Sequence, residues 1–411
     1  MTFKNIIIIA LISFLFGCKE NKKEHPKTIV LENTLSIERE QEFVQISEET
    51  ILAILKKIPN DHVPILFDEN DKIITQQWDD IDEDGVWDYL ITTLDFKPNE
   101  KRRLKLQTIS KEQIPGFSRY TDVHFGVGKV KPDVNEVFTY SRQGDPRKID
   151  SLFFQMEGPA WENDKVGFRT YFDPRNGMDI FGKRVADMVL NKIGLHTNYH
   201  ELEDWGMDIL KVGNSLGAGA IAIKYNDTIS RVTGVENTEF RLIKEGPIKS
   251  TFEVVHKNTR IGNQKITITS LITIVKGQWG YHREVSFSGL PSTSSLVTGI
   301  VNIKPNTVTS KEYDAYKTVF SFGPQSENND NLGMAILTKK DSFLGLEDVS
   351  DTNGDIVDTY MLSLKASDKV ATSYYFLSGW ELSDPEFKII DGFENMISTT
   401  VKRLSNPIMV Q

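Results

Sequence analysis

Cysteine is nearly absent from this chain: there is one, Cys18. A disulfide within a single chain is therefore excluded. Histidine is also scarce, with 7 in 411 residues. His196 and His200 stand four apart, but Thr197 follows the first where a zinc protease needs Glu. Basic charge is in deficit, with 48 Lys and Arg against 58 Asp and Glu and a net charge of −10. A general nucleic-acid binder needs a basic face, so no nucleic-acid partner is expected. An anionic sugar is not excluded, because a few arginines in a cleft can reverse the local field. The apolar run at residues 6–16 is too short to span a bilayer. No nucleotide-binding glycine loop, sulfatase-type motif, repeat or coiled coil is present.

What is present begins with an address. Lys4 supplies a positive n-region, residues 6–16 an apolar core, and Leu15-Phe16-Gly17-Cys18 an ending that reads as a lipoprotein cleavage box. A lone cysteine at this position is expected if it carries lipid; the alternative is an ordinary signal peptide with an incidental cysteine. Residues 1–17 then form a lipoprotein signal peptide and the polar run 18–27 a tether to a membrane, most simply a Gram-negative outer membrane. Which leaflet it occupies is left open by these residues.

The rest exceeds one ordinary core, so two domains are expected. From residue 28 to about 115, short apolar or alternating runs separated by polar turns predict a small β-sandwich. Only residues 48–57 have helical spacing, with Ser47 as N-cap. Pro115-Gly116 marks the boundary. From 116 to 411 strands dominate again, including a long one at 265–275, and a large antiparallel sandwich of the supersandwich kind is expected. Residues 183–193 fit a helix that Gly194 ends. The fold class is all-β with few helices.

Two acidic turns invite a cation. Asp80, Asp82, Asp84 and Asp88 alternate around Gly85, as in a calcium loop where several oxygens converge on a hard divalent ion. Ile91 stands where an EF-hand needs its bidentate acid, so an ion-free acidic hairpin is an equal reading. The segment Asp351-Thr352-Asn353-Gly354-Asp355 is a weaker version, read as a plain turn.

Residues 156–216 hold the densest mixture of His, Arg, Lys, Tyr and carboxylates among aromatics and glycines. Buried charge is costly unless paired, so such a mixture is either a structural network or a site. His200 beside Asp204 reads as an imidazole oriented by a carboxylate. Arg169 and Lys211 are charges set among apolar neighbours, and His282 with Arg283 forms a second basic group. Trp161, Trp205, Trp279, Tyr281 and Trp380 are either core or a stacking surface for sugar rings.

The ordered elements Trp161-Glu162-Asn163-Asp164, Phe168-Arg169-Thr170-Tyr171, Gly177-Met178-Asp179-Ile180, Tyr199-His200, Gly206-Met207-Asp208 and Lys211-Val212-Gly213-Asn214-Ser215-Leu216-Gly217 resemble a domain family of formerly unknown function. It occurs in bacterial lipoproteins encoded with polysaccharide-degrading enzymes and includes an ulvan oligosaccharide dehydratase. The resemblance covers most of the chain after residue 27. It implies an all-β architecture, an anionic, ulvan-type oligosaccharide as partner, and elimination of water from a terminal uronic acid.

That chemistry removes the C5 proton, which needs a neutralised carboxylate, and protonates the departing 4-hydroxyl. The site needs a cation or metal, a base and an acid. Arg169 and Lys211 are the expected cations and His200, with Asp204, the base. Tyr199 or Tyr171 is the expected acid. Trp161, Glu162, Trp205, Asp208, His282 and Arg283 complete the expected substrate contacts. A polysaccharide lyase with similar residues and a non-catalytic glycan-binding lipoprotein are the alternatives.

Overall fold

The computed structural model describes residues 27–232, 237–349 and 355–411. Cys18, the expected signal segment, and all of the second acidic turn except Asp355 lie outside these residues. Among the described residues no helix is long and apolar enough to cross a membrane.

The small N-terminal sandwich forms because its strands alternate. Thr28–Glu32 buries every second residue, and a period of two sends such side chains to one face. One sheet has the order Met409–Val410, Thr28–Glu32, Lys101–Ser110, His62–Phe67; the other has Arg39–Ser47, Tyr89–Phe96, Gln76–Asp79. Ile29, Leu31, Val44, Ile46, Leu90, Phe96, Leu104 and Leu106 fill the space between them. The expected helix forms over Glu48–Leu55, and Ser47 Oγ accepts the Thr50 N–H at 3.3 Å, satisfying one of the free N–H groups of its first turn.

The large part is built on a nine-stranded antiparallel sheet, which includes the long strand at Gln264–Val275. One five-stranded sheet, containing Ala218–Tyr225 and Ser295–Val301, packs on its inner face. Tyr281 and Tyr374 on the nine-stranded sheet donate across the core to the carbonyls of Ala218 and Gly219. A second five-stranded sheet, order Gly206–Asp208, Met178–Lys183, Val166–Thr170, Ala160–Asn163, Thr121–His124, shares that core through Trp161, Phe168 and Ile180. The architecture is all-β, as expected.

The outer face of the nine-stranded sheet carries the C-terminal helix Ile390–Ser405, which buries Phe393, Ile397 and Val401 against Phe320, Ala335, Leu337 and Leu377. Gly333 makes this close approach possible, since a Cβ there would lie 2.5 Å from the Phe393 ring.

The helix expected at 183–193 does not form. Lys183 is the last residue of the strand Met178–Lys183, the chain then bends, and only a 3-10 turn appears at Leu190–Lys192. The cause comes from another strand. Glu162 takes the Lys183 ammonium in a wholly buried pair and accepts the Val189 and Leu190 N–H groups at 2.6 and 2.7 Å, which holds this segment out of helical register.

Candidate active site

The strands Val166–Thr170 and Met178–Lys183 form a hairpin in which Arg169 stands opposite Asp179. Alternation sends Phe168 and Ile180 inward to the shared core, while Arg169 and Asp179 face the other way. Residues 184–205 cover that outer face, and Leu190, Ile193, Tyr199 and Trp205 pack with Met156, Ala160 and Phe181. Arg169 is consequently 2% exposed, between the sheet and two tyrosines.

A buried guanidinium must have its donors satisfied. Nε and Nη2 of Arg169 donate to Asp179 Oδ2 at 3.2 and 2.7 Å, and Nη2 also to Asp208 Oδ2 at 2.8 Å and Tyr171 Oη at 3.2 Å. Nη1 donates to Tyr199 Oη at 2.8 Å and the Met156 carbonyl at 3.2 Å. Tyr171 in turn donates to Asp179 at 2.9 Å. The Tyr199 hydroxyl accepts from Arg169, and among the described residues its own proton has no acceptor. Its ring packs on Phe181 and carries the His200 ring at 4.4 Å. Nδ1 of His200 lies 3.2 Å from Asp208 Oδ2, and its side chain is 57% exposed.

The charges follow from this packing. Burial, then the neighbouring Asp208, pushes the Asp179 carboxyl up to about 7. Burial opposes the Arg169 charge, but Asp208 and Asp179 outweigh it and hold the guanidinium protonated. The hydrogen bond to Asp208 raises His200. Burial raises both Tyr199 and Tyr171, so they keep their protons.

The fold thus gathers Arg169, Tyr171, Tyr199, His200 and Asp208, and disperses the other expected residues. Asp204 is exposed; the carboxylate that meets His200 is Asp208, because the strand Gly206–Asp208 pairs beside Phe181. Trp161 is wholly buried, stacked on Phe168 with Tyr281 at its edge, so it offers no face to a ligand. Glu162 is buried on Lys183. Trp205 is half-buried and donates to Glu203. Lys211 is exposed beside Val301 and Lys304, and no described contact links it to Arg169. His282 and Arg283 cannot act as a pair, since neighbours on one strand point to opposite faces. His282 lies on Tyr375, lowered to about 4 by burial, whereas Arg283 is buried on Ser270 and Met178.

Asp179, Glu157 and Arg175 were missing from the expected set. Asp173-Pro174-Arg175-Asn176-Gly177 is a turn sequence midway between positions 169 and 179, and reading it as a hairpin places Asp179 opposite Arg169.

In the acidic hairpin, carboxylate oxygens of Asp80, Asp82 and Asp88 lie within 4.8 Å of one another, and Asp84 is not of that group. Asp80, Asp82 and Asp88 each also accept a backbone N–H. The oxygens suit a hard cation, and the turn also holds itself without one. A cavity of about 480 Å³ lies between the small sandwich and the C-terminal helix, lined by Trp279, Tyr375, Glu386 and Arg403; it does not include the Arg169 cluster.

An all-β chain with a buried arginine network beneath a tyrosine and a histidine can now be set beside known proteins. The chain belongs to the family described as a domain of unknown function, DUF4861, whose model matches residues 31–410. It is 24% identical over 321 residues to "Uncharacterized protein P7" of Formosa agariphila, covering 72% of this chain and 71% of that one. Among solved structures, it is similar to an alpha-mannosidase from Enterococcus faecalis, with TM-score 0.46 and 10% identity over 93% of this chain and 45% of that one. It is also similar to a glycosyl hydrolase family 38 protein from the same organism, with TM-score 0.47 and 10% identity over 94% and 47%. The chain spans under half the length of those two proteins.

Proposed function

We propose that the Arg169 cluster is the active centre of an oligosaccharide dehydratase acting on the non-reducing-end uronic acid of ulvan-type fragments. The observation that carries this reading is a proton donor and a base side by side: Tyr199, whose O–H has no acceptor among the described residues, and His200, its ring 4.4 Å away. The motifs of the resemblance support it, since Phe168-Arg169-Thr170-Tyr171, Gly177-Met178-Asp179, Tyr199-His200 and Gly206-Met207-Asp208, scattered over about forty residues, converge on this cluster.

Asp208 holds the Nδ1 proton of neutral His200, leaving Nε2 as base. Nε2 takes the C5 proton, the C5 electron pair forms the C4=C5 double bond, and the C4–O bond breaks. The departing oxygen takes the Tyr199 proton and leaves as water. Arg169, donating to Tyr199 Oη, stabilises the phenolate formed in that step, and the proton on His200 returns to Tyr199 to close the cycle. The net change is loss of one water and gain of a 4,5-unsaturated uronate. Attachment through lipid on Cys18 to an outer membrane belongs to the same proposal; labelled palmitate incorporation, lost in Cys18→Ser, tests it.

The deciding experiment is a mass spectrum of uronate-terminated ulvan oligosaccharides after incubation with the protein, beside a His200→Ala control. A dehydratase removes one water at unchanged chain length and the control does not. A lyase using the same acid and base shortens the oligomer instead. No mass change with binding retained rejects catalysis on this substrate in favour of a glycan-binding module.

A further inference from the structure

Elimination beside a carboxylate requires that its charge be met, and Arg169 is not free to meet it. Nε and both Nη atoms already donate to Asp179, Asp208, Tyr199, Tyr171 and the Met156 carbonyl, and two buried carboxylates neutralise the guanidinium. A uronate arriving here would find no unmatched positive charge on Arg169.

Arg175 is the cation next to it. Its Nε and Nη2 are gripped by Asp173 at 2.9 and 2.6 Å, and the Asp173 carboxylate also accepts the Arg175 N–H at 2.8 Å. Its guanidinium lies 4.1 Å from the Tyr171 ring centroid, while Arg169 stands 4.9 Å from the same ring. Arg175 is therefore rigidly placed yet 35% exposed, and its Nη1 has no hydrogen-bond acceptor among the described residues.

Glu157 lies between the two guanidiniums, with Oε2 3.3 Å from Arg175 Nη2 and 3.9 Å from Arg169 Nη1, and 46% exposed. It gets there through two successive left-handed, non-glycine residues, Met156 at φ 54° and Glu157 at φ 64°. That conformation is uncommon for side-chain-bearing residues and collects at functional sites. Arg169 fastens the first of them by donating to the Met156 carbonyl.

We infer that Arg175 is the residue that recognises the substrate carboxylate, and that Glu157 holds that carboxylate's place in the free protein. The inference rests on the dehydratase reading for its substrate class. An incoming uronate takes the position of the Glu157 carboxylate on Arg175 Nη2 and uses the open Nη1 as its second donor, a two-point contact suited to a planar fork. Glu157, on the surface, swings into solvent.

The test is calorimetric binding of a uronate-terminated ulvan oligosaccharide and of the same oligosaccharide with its terminal carboxylate methyl-esterified, which needs no turnover when carried out on the His200→Ala protein. The expected result is tighter binding of the acid than of the ester. In an added Arg175→Gln change the acid weakens about 10- to 100-fold, the range for a lost charge-assisted contact, while the ester is unaffected. Arg175→Lys, which keeps the charge without the fork, recovers part of the loss, and Glu157→Gln tightens the acid alone. Preference for the acid that survives Arg175→Gln overturns the inference, as does equal binding of acid and ester, loss of both ligands together, or weaker acid binding in Glu157→Gln. If acid preference depends on Arg175 while the active protein releases no water, recognition stands and the dehydratase reading falls. Turnover unaffected by Arg175→Gln has the opposite meaning.

Discussion

Asp208→Asn separates a working site from a merely polar patch, because one oxygen of Asp208 serves both Arg169, at 2.8 Å, and His200, at 3.2 Å. The side chain is 2% exposed, so solvent screens little of its pairing with Arg169. Removing one partner of a buried ion pair costs about 3–5 kcal/mol when the other charge is left alone. Here Arg169 keeps Asp179, so the expected loss is that of one charge-assisted hydrogen bond, about 1.5–3 kcal/mol. The link to half-exposed His200 adds little stability, but it sets reactivity. Asp208 raises His200, so the wild-type rate rises with pH through a value above that of an ordinary histidine as the base loses its proton. In Asp208→Asn that acid limb moves to lower pH. Asp179 contributes the reverse of the usual carboxylate dependence. Its native value near 7 lies above its ordinary 3.8, so the native state binds this proton more tightly and stability falls as pH rises between the two. With Asp208 uncharged, that decline shrinks. Urea unfolding at several pH values and a pH–rate profile read both effects. An acid limb and an unfolding free energy unchanged by Asp208→Asn would refute this account of the cluster.

Tyr199→Phe removes the acid and leaves the ring packed on Phe181; initial rates should drop by about 10²–10⁴, the usual worth of a positioned proton donor, and an unaltered rate would exclude Tyr199 from proton transfer. Lys183→Met strands the buried Glu162 carboxylate and should cost about 3–5 kcal/mol in urea unfolding, with Glu162→Gln added to it recovering part; a near-neutral single change would show that the pair does not hold the bend at 184–189. Gly333→Ala places a methyl 2.5 Å from the Phe393 ring and should destabilise by about 1–3 kcal/mol through overpacking, measured the same way, whereas wild-type stability would mean that the C-terminal helix packs loosely.

The sheets were legible because burial on one face writes itself as alternation. Thr28–Glu32 and Gln264–Val275 show it plainly, and Ser47 announces its helix locally. In the site, Arg169 stood out as a charge among apolar residues, His200 as an imidazole in a carboxylate-rich stretch, and Tyr199 as the acid that the resemblance implied. What stayed hidden was partnership across strands. Asp204 is nearer to His200 in sequence, yet strand pairing brings Asp208. Residues 183–193 have helical spacing, but Glu162 on a separate strand claims both Lys183 and the N–H groups of Val189 and Leu190. Trp161, expected among the substrate contacts, faces inward by strand parity, a property of register rather than composition.

The strand Thr28–Glu32 is flanked on one side by Lys101–Ser110 and on the other by Met409–Val410, with Val30 and Gln411 exchanging backbone bonds at 3.0 and 2.9 Å. Its hydrogen bonds run across the strand axis. A tug on the chain ahead of Thr28 therefore meets two rows of bonds in shear, all strained together, where a terminal hairpin would unzip one bond at a time. One of those rows belongs to the far end of the chain. The small sandwich is in this sense a buckle, and a mechanical load arriving from the N-terminal side is resisted at the buckle before it reaches the loops that position Tyr199 and His200.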